Sequence, residues 1–343
     1  MIQRIRKGRT RGGIDQERAR QTGRGREAET PFQIPLRGLL DVAWRLWIQI
    51  GQDRILLVAA GTTFYVLLAI FPALAAFVSL YGFVADPKTI EDHIAFLGEL
   101  LPADGFNLIR NQLHALTAQA NGALSFGFLF GLVVALWSAD SGVKGLFEGL
   151  NVAYGEMEKR SFIKLTLVSF AFTLGGILVG ICFILVIGII PAVLSFLQLD
   201  PKEKMLVDLL RWPPVFLMAI AGIVLLYRYG PSRERAKWRW LSWGAAFSTI
   251  VWLAASWAFS FYLAHFANYN ATYGTLGAVI GFLMWIWISA IIMLLGAELN
   301  AELEHQTARD STTGEPLPMG ERGATMADTV GKASNEPSAT GRE

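Results

Sequence analysis

The stretch that decides the fold runs from Leu276 to Gly296, LGAVIGFLMWIWISAIIMLLG, and contains no charged residue. A helix of about 20 apolar residues is long enough to cross the hydrocarbon core of a bilayer, which is ~30 Å thick. The residues that follow, AELNAELEH, place three acidic side chains directly behind this stretch, at Glu298, Glu302 and Glu304. The sequence therefore predicts a membrane-spanning helix, and it raises the question of whether Glu298 acts inside the membrane or marks its limit.

The composition of the whole chain is typical of a membrane protein. Of its 343 residues, 53% are hydrophobic and 17% are charged, whereas soluble domains carry about a quarter charged residues. Long apolar stretches without strand-like alternation predict helices, because a backbone in lipid must satisfy its own hydrogen bonds. We therefore predict an all-α membrane protein, a bundle of six transmembrane helices within residues 36–304. The other five spans are Ile55 to Phe83, Ala123 to Val143, Leu165 to Ile190, Pro213 to Tyr227 and Trp240 to Phe266.

The two ends of the chain differ in composition from this apolar region. Residues 1–35 are basic and rich in Gly, and residues 305–343 are rich in Ser, Thr, Gly and Pro. Because neither segment contains a long apolar run, we expect both to be disordered tails. A basic tail could bind nucleic acid, but beside a membrane we expect it to contact anionic lipid headgroups instead.

The distribution of Lys and Arg predicts the orientation of the spans. Eleven precede Arg54, four surround the second connection and five lie in the fourth, whereas the alternate connections carry two, three and none. The positive-inside rule then places both termini in the cytoplasm. On that side, residues 36–51 predict an amphipathic helix at the membrane surface, with Arg37, Asp41 and Arg45 on one face. On the opposite side, residues 85–122 predict two helices that cap the bundle.

Glycine and proline positions indicate how the helices pack. Small residues at four-residue spacing let helices approach closely in lipid, and three such pairs favour internal packing, with a homodimer seam as the alternative. Pro72 predicts a kink in the first span, since its ring removes a backbone hydrogen bond. The glycine pairs are Gly127 with Gly131, Gly176 with Gly180, and Gly277 with Gly281.

Four segments, found in one order, resemble the YihY/BrkB family of bacterial inner-membrane proteins. They are AAGTTFYVLLAIFPALAAFVSLYGF (59–83), ALWSADSGVKGLFEGLNVAYGEMEKRSF (135–162), YRYGPSRERAKWRW (227–240) and FANYNATYGTLGAVIGFLMWIWISAIIMLLGAELNAELE (266–304). The resemblance implies six transmembrane helices, a plasma-membrane location, links to envelope integrity and serum resistance, and a suspected part in the movement of lipid or lipid A. The family has also carried the label ribonuclease BN.

The residues argue against a nuclease. A hydrolytic nuclease needs clustered carboxylates and His for metals or for acid and base catalysis. The four His are scattered, the single Cys182 lies inside the third span, and no HxH, HExxH, CxxC, GxSxG or phosphate-loop motif is present. We expect no enzymatic activity, no metal and no cofactor.

Two acidic positions near the cytoplasmic ends of the spans are candidate ion pairs. Asp140 precedes Lys144 by one helical turn, the favourable order for a pair; an ionisable group of a carrier is the alternative. We expect Glu298 to pair with Arg160 or Arg228. It would then mark the limit of the membrane rather than carry a proton.

The connection HFANYNATYG (265–274) contains no Lys, Arg, Asp or Glu but is rich in amides and phenols. A tight turn explains its Asn and Gly, and anchoring at the membrane interface explains its Tyr. Alternatively, its side chains and those of the first span form a neutral polar lining for a lipid headgroup. The candidate lining residues are Thr63, Tyr65, Pro72, Tyr269, Asn270 and Tyr273.

Two classes of function remain open from the sequence. The first is a transporter or flippase-like protein for lipids or other amphiphiles in the bacterial inner membrane, favoured by the neutral polar groups in the spans and the absence of catalytic motifs. The second is an envelope scaffold that binds lipids or proteins without transport. The expected partners are membrane lipids and not nucleic acid, and homo-oligomerisation stays open.

Overall fold

The computed structural model describes residues 13–84, 124–183, 185–186, 200–210, 212–265 and 277–336. Within the helices, the side chains of residues 70–84 and 124–128 are not among those described. The predicted cap over residues 85–122 lies outside the described residues, as do Tyr269, Asn270 and Tyr273 and the side chain of Pro72.

The described chain is built from helices, as its apolar stretches predict. In chain order they are α1 (Leu36–Gln52), α2 (Ile55–Val84), α3 (Leu124–Ala153), α4 (Phe162–Phe183), α5 (Pro201–Leu210), α6 (Trp212–Tyr229), α7 (Trp238–His265), α8 (Gly277–Glu304) and the short α9 (Thr325–Asp328). Helices α2, α3, α4, α6, α7 and α8 overlap the six predicted spans, of which the predicted ends at Ile190 and Phe266 lie outside the described residues.

Five helices within the described residues are long and apolar enough to cross a membrane. A sixth candidate is the pair Leu36–Gln52 and Ile55–Ala69, which is bent by 56° between its two parts. These observations confirm an all-α, multi-pass membrane fold. Two helices end later than hydropathy indicates, α3 at Ala153 and α8 at Glu304, because their last turns are buried in protein.

The helices pack around a core of small and aromatic side chains. Helix α2 packs against α3 and α8, α7 lies against α6 and α8, and α4 contacts α3 and α6. Ala59, Ala297 and Ala301 are fully enclosed, which brings backbones together at the ends of α2 and α8. The large buried side chains of this core are Phe147, Leu150, Tyr154, Tyr227, Leu241 and Leu294.

A close helix crossing within the described residues involves glycines other than the predicted pairs. A Cβ on Gly296 of α8 would collide with Ser248 and lie 2.5 Å from Tyr227 Oη, and a Cβ on Gly244 of α7 would collide with Gly296 O. By contrast, no described atom lies within 4 Å of a Cβ on Gly176 or Gly180. Within the described residues, Gly176 and Gly180 therefore do not provide the predicted internal packing.

The two terminal segments differ from the predicted disordered tails. Residues 13–35 and 305–336 pack against each other at one end of the bundle, where Ala308 N–H donates to Arg26 O at 2.7 Å and Gly331 N–H donates to His305 O at 2.7 Å. Val330 and Ala333 are buried there. A few small apolar residues are enough to order these segments because each segment supplies hydrogen-bond partners for the other. We call the end of the bundle that these segments cover the terminal face.

Helix α1 turns Asp41 and Arg45 inward toward this assembly, whereas Arg37 of the same predicted face is exposed. Arg24 Nη1 lies 2.5 Å from Asp41 Oδ2, and Arg45 forms an ion pair with Glu302 of α8. The apolar side of α1 stays exposed, including Leu36, Leu40 and Trp47. An exposed apolar stripe beside a membrane domain suits contact with lipid, as the amphipathic pattern predicts.

Candidate functional site

The predicted pair of Asp140 and Lys144 is part of a polar cluster between α3 and α4. Lys144 Nζ lies 2.7 Å from Asp140 Oδ2 and donates to Thr166 Oγ1 at 3.1 Å. Ser169 Oγ donates to the other carboxylate oxygen of Asp140 at 2.5 Å. Asp140 is 6% exposed, and Thr173 extends the polar row by donating to Ser169 O at 3.0 Å. The carboxylate is thus held from two helices.

The register of α2 and α3 gives the depth of this cluster. A Cβ on Gly149 would lie 2.7 Å from Leu294 and 2.8 Å from Val58, and one on Gly142 would lie 3.3 Å from Val66. These close approaches lock the two helices antiparallel. Since a helix rises 1.5 Å per residue, Asp140 lies roughly 13 Å deeper in the bundle than Gly149. The cluster therefore belongs to the span and not to the terminal face.

Arg160 binds a different carboxylate from the one predicted. Its Nη2 lies 2.7 Å from Glu158 Oε2 and donates to Gly230 O at 2.7 Å, beyond the end of α6. Burial alone would raise the pKa of Glu158, but hydrogen bonds from Arg160 and Asn151 outweigh burial and lower it to about 2. Arg160 therefore joins the α3–α4 loop to α6.

Arg228 is also unavailable to Glu298. Its Nη1 donates to Ala236 O at 2.6 Å, and its guanidinium lies over the ring of Trp238, 4.2 Å from the centroid. The predicted pairing of Glu298 with Arg160 or Arg228 is therefore wrong, because both guanidinium groups are held by partners in the loops of the terminal face.

Glu298 instead lies beside Asp53, an acidic residue that the sequence did not single out. Asp53 is the C-cap residue of α1, just before the bend, where α1 packs against α8, and its carboxyl group interacts with that of Glu298. Glu298 is 0% exposed, and neither of its oxygens has a hydrogen-bond partner among the described residues; the same holds for Asp53 Oδ2. The two residues are far apart in the sequence, so no local pattern could have joined them.

The acidic residues that follow Glu298 have basic partners. Arg45 binds the carboxylate of Glu302 and donates to Lys332 O at 2.9 Å. Arg233 Nη2 lies 2.5 Å from Glu304 Oε1, and both side chains are almost fully buried. Each pair joins α8 to another part of the terminal face, so breaking either one would leave a buried charge uncompensated.

The candidate lining residues on α2 do not share a face. Thr63 is 7% exposed and donates to Ala59 O at 2.8 Å, whereas Tyr65 is 42% exposed. Positions two apart on a helix point about 200° apart, since each residue turns the helix by about 100°. Thr63 and Tyr65 therefore do not form one lining, and the other four candidates lie outside the described side chains.

A second internal polar group joins α6, α7 and α8. Tyr227 Oη lies 2.7 Å from Ser248 Oγ and donates to Met293 O at 2.7 Å. The single proton of Ser248 Oγ is within reach of both Tyr227 Oη and Ile292 O, the latter at 3.1 Å. These groups are satisfied by the protein itself. Among the described residues, no group of three or more His, Cys, Asp or Glu could hold a metal ion.

Comparison with known proteins places the chain beside one family. A family model described as Virulence factor BrkB matches residues 46–318. The ribonuclease-like protein YfkH of Bacillus subtilis strain 168 is 31% identical over 259 residues, which is 74% of this chain and 90% of that protein. A UPF0761 membrane protein of Chromohalobacter salexigens is 27% identical over 253 residues, 71% of this chain and 58% of the relative.

The relatives differ in length. The UPF0761 membrane protein VV0203 of Vibrio vulnificus strain YJ016 is 24% identical over 279 residues, 79% of this chain and 86% of that protein. The chain spans only 57% of a relative from Paraburkholderia xenovorans strain LB400. No solved structure matches the chain.

Proposed function

The chain belongs to the BrkB virulence-factor family, and from this premise we propose that it moves lipids or other amphiphiles across a bacterial plasma membrane. The family match and the apolar helices establish a multi-pass membrane protein. Movement of an amphiphile is the step that we add. Its partners would be membrane lipids, without nucleic acid.

The observation that supports transport is the buried cluster around Asp140. An ionisable side chain within a span is costly, and those that occur usually face the interior of a bundle and belong to substrate or ion pathways. Asp140 meets this description, since Lys144 and Ser169 hold it between α3 and α4. The hydroxyls of Thr166 and Thr173 extend the row on α4, which provides polar groups beside an apolar bilayer.

Lipid movement in vesicles tests this proposal. Purified protein would be reconstituted with a phospholipid carrying a fluorophore on its headgroup, and a membrane-impermeant reductant would quench the fluorophores in the outer leaflet. We expect quenching beyond the outer-leaflet fraction with the protein, and quenching equal to that of empty vesicles with Asp140→Asn. Glu148→Gln is the matched control, because Glu148 is exposed on the same helix and its loss should leave lipid movement intact. Folded protein that moves lipid no faster than empty vesicles contradicts the proposal.

The orientation of the protein is a second part of the proposal. The excess of Lys and Arg in the terminal segments and in the α3–α4 and α6–α7 loops favours a cytoplasmic terminal face. In a Cys182→Ala background, a cysteine at the exposed position Glu315 should react with an impermeant reagent only after the inner membrane is breached. Reaction in intact cells would reverse the assignment.

An envelope scaffold is the second candidate function. The ion pairs of Arg45 with Glu302 and Arg233 with Glu304 fix the terminal face in one arrangement, which favours a rigid binding platform. A negative lipid assay together with stable, stoichiometric lipid copurification would support it. Despite the name of the Bacillus relative, we propose that the chain does not cleave RNA; cleavage by pure protein that a single carboxylate substitution abolishes would refute this.

A further inference from the structure

Glu298 is an acidic side chain enclosed by protein with no donor aimed at it. It is 0% exposed, and both carboxyl oxygens lack hydrogen-bond partners among the described residues. Buried charges in proteins are normally paired, because an isolated ionised carboxylate loses its hydration without compensation. The other two acidic residues at this end of α8, Glu302 and Glu304, follow that rule. Glu298 therefore needs a different explanation.

The charged groups around Glu298 are themselves acidic. Asp53, from the junction of α1 and α2, faces it directly, and Glu302 lies one turn along α8. The basic residue that α1 contributes, Arg45, binds Glu302 and Lys332 O. His305 Nδ1 is also directed at Glu302, at 3.8 Å, and Arg54 is exposed. Two ionised carboxylates with no cation between them would repel each other, so the pair is suited to bind one cation.

A proton is the smallest cation and fits between two carboxyl groups of which one, that of Glu298, is enclosed by protein. A carboxylic acid can donate a hydrogen bond to a neighbouring carboxylate, which would pair one oxygen of Glu298 with one oxygen of Asp53. Glu298 is enclosed, but Asp53 is partly exposed. Asp53 thus offers a route between the water at the terminal face and Glu298.

We propose that Asp53 and Glu298 form a proton-binding site at the junction of α1 and α2. The site takes one proton from water through Asp53 and holds it between the two carboxyl groups, with no other group gained or lost. The inference stands on the geometry of these residues and does not depend on lipid movement.

The backbone at the site suggests what the proton controls. Arg54 has a φ of 50°, in the left-handed region that non-glycine residues seldom adopt. There the chain bends by 56° between α1 and the first part of α2. Because Asp53 and Glu298 lie on the two sides of the α1–α8 contact, removal of the proton would drive them apart and loosen α1 at this bend.

Carbodiimide labelling of the full-length protein in detergent tests the site. Dicyclohexylcarbodiimide modifies carboxyl groups that are protonated in an apolar environment, and peptide mass spectrometry locates the adduct. At neutral pH we expect Glu298 to be labelled roughly tenfold or more above Glu304, which is equally buried but ion-paired. Labelling should fall as pH rises. Glu298 that stays unmodified while the protein is folded overturns the proposal.

A pair of substitutions provides a second readout. Glutamine imitates a protonated glutamic acid, so Glu298→Gln should change the unfolding temperature by no more than about 2 °C. Glu304→Gln, the matched control, leaves the buried Arg233 without a carboxylate partner and should lower the unfolding temperature by roughly 5 °C or more. Equal losses in both variants would mean that Glu298 is ionised and paired, against the proposal. A negative lipid-movement assay would leave both of these results unaffected, so failure of the two proposals can be told apart.

Discussion

Glu158 shows how a single residue outside the spans gains its properties from its neighbours. Arg160 donates to both of its oxygens, at 2.8 and 2.7 Å, and Asn151 Nδ2 donates at 3.1 Å. Asn151 also accepts from Ser232 N–H at 2.7 Å. One carboxylate therefore links the end of α3 to the loop after α6.

We expect Glu158→Gln to destabilise the protein in a pH-dependent way. The pKa of Glu158 in the folded protein is about 2, below its value of ~4.3 in an unfolded chain. The folded state therefore binds this proton less tightly, and the stabilisation is complete above pH ~4.3 and lost as the pH falls toward 2. Because the pair is partly exposed, we expect a loss of about 1 kcal/mol at pH 7.

Unfolding curves of the two proteins at pH 7 and at pH 3 check this prediction. The difference in free energy of unfolding between wild type and Glu158→Gln should be smaller at pH 3 than at pH 7. The exposed Glu148→Gln variant should match wild type at both pH values. If the difference in free energy of unfolding is the same at pH 7 and at pH 3, the ion pair of Glu158 is not the cause of that difference.

At the scale of the helix, contacts rather than spacing decide which glycines matter. Gly296 sits where α7 and α8 cross, with Ser248 and Tyr227 filling the space that a side chain would need. Gly176 lies on α4, where no described atom is within reach. Four-residue spacing identifies Gly176 but not Gly296. The spacing indicates that a close helix approach is feasible, and it does not indicate whether a partner helix is present.

Alanine at these two positions should therefore have opposite effects. Gly296→Ala forces the helices apart or displaces Tyr227, and we expect a loss of about 1–3 kcal/mol from overpacking. Gly176→Ala adds helix propensity without a clash, so we expect no loss and a gain of up to about 1 kcal/mol. Thermal unfolding in one detergent measures both. A large loss at Gly176 would show that α4 packs closely against a partner, such as a second copy of the chain.

At the scale of the whole molecule, the two ends of the chain close the bundle together. Arg18 binds Glu336 at 2.9 Å and Arg26 donates to Gly331 O at 2.8 Å, so the N-terminal segment holds the C-terminal one. Arg26 is buried, and burial lowers its pKa to about 10. It therefore stays charged at neutral pH.

Hydrogen exchange should show this closure directly. We expect amides of Ala308, Val330 and Gly331 to exchange slowly, because each donates to a group in the terminal face. Deleting residues 1–34 should speed exchange at Ala308 and Val330, whose acceptors lie in that segment, by roughly tenfold or more. The amide of Lys237, which bonds Ser311 O, is the internal control. Fast exchange at Ala308 and Val330 in the intact protein would support the disordered tails that composition predicts.

The sequence by itself determined the features that depend on near neighbours along the chain. Runs of apolar residues located the membrane helices, since each helix satisfies its own backbone within one segment. The pair of Asp140 and Lys144, one turn apart, follows from helix geometry in the same way. The resemblance to the YihY/BrkB family, confirmed by the family match, rests on ordered local motifs.

Only the tertiary structure decided which distant groups meet. The partner of Glu298 proved to be Asp53, and the basic residues expected to bind it were already held by loops. Segments with the composition of tails became ordered because each supplied the hydrogen bonds that the other lacked. Burial, ion pairing and close helix approach depend on residues from distant parts of the chain. These residues meet only when the helices pack, so a local sequence pattern does not predict them.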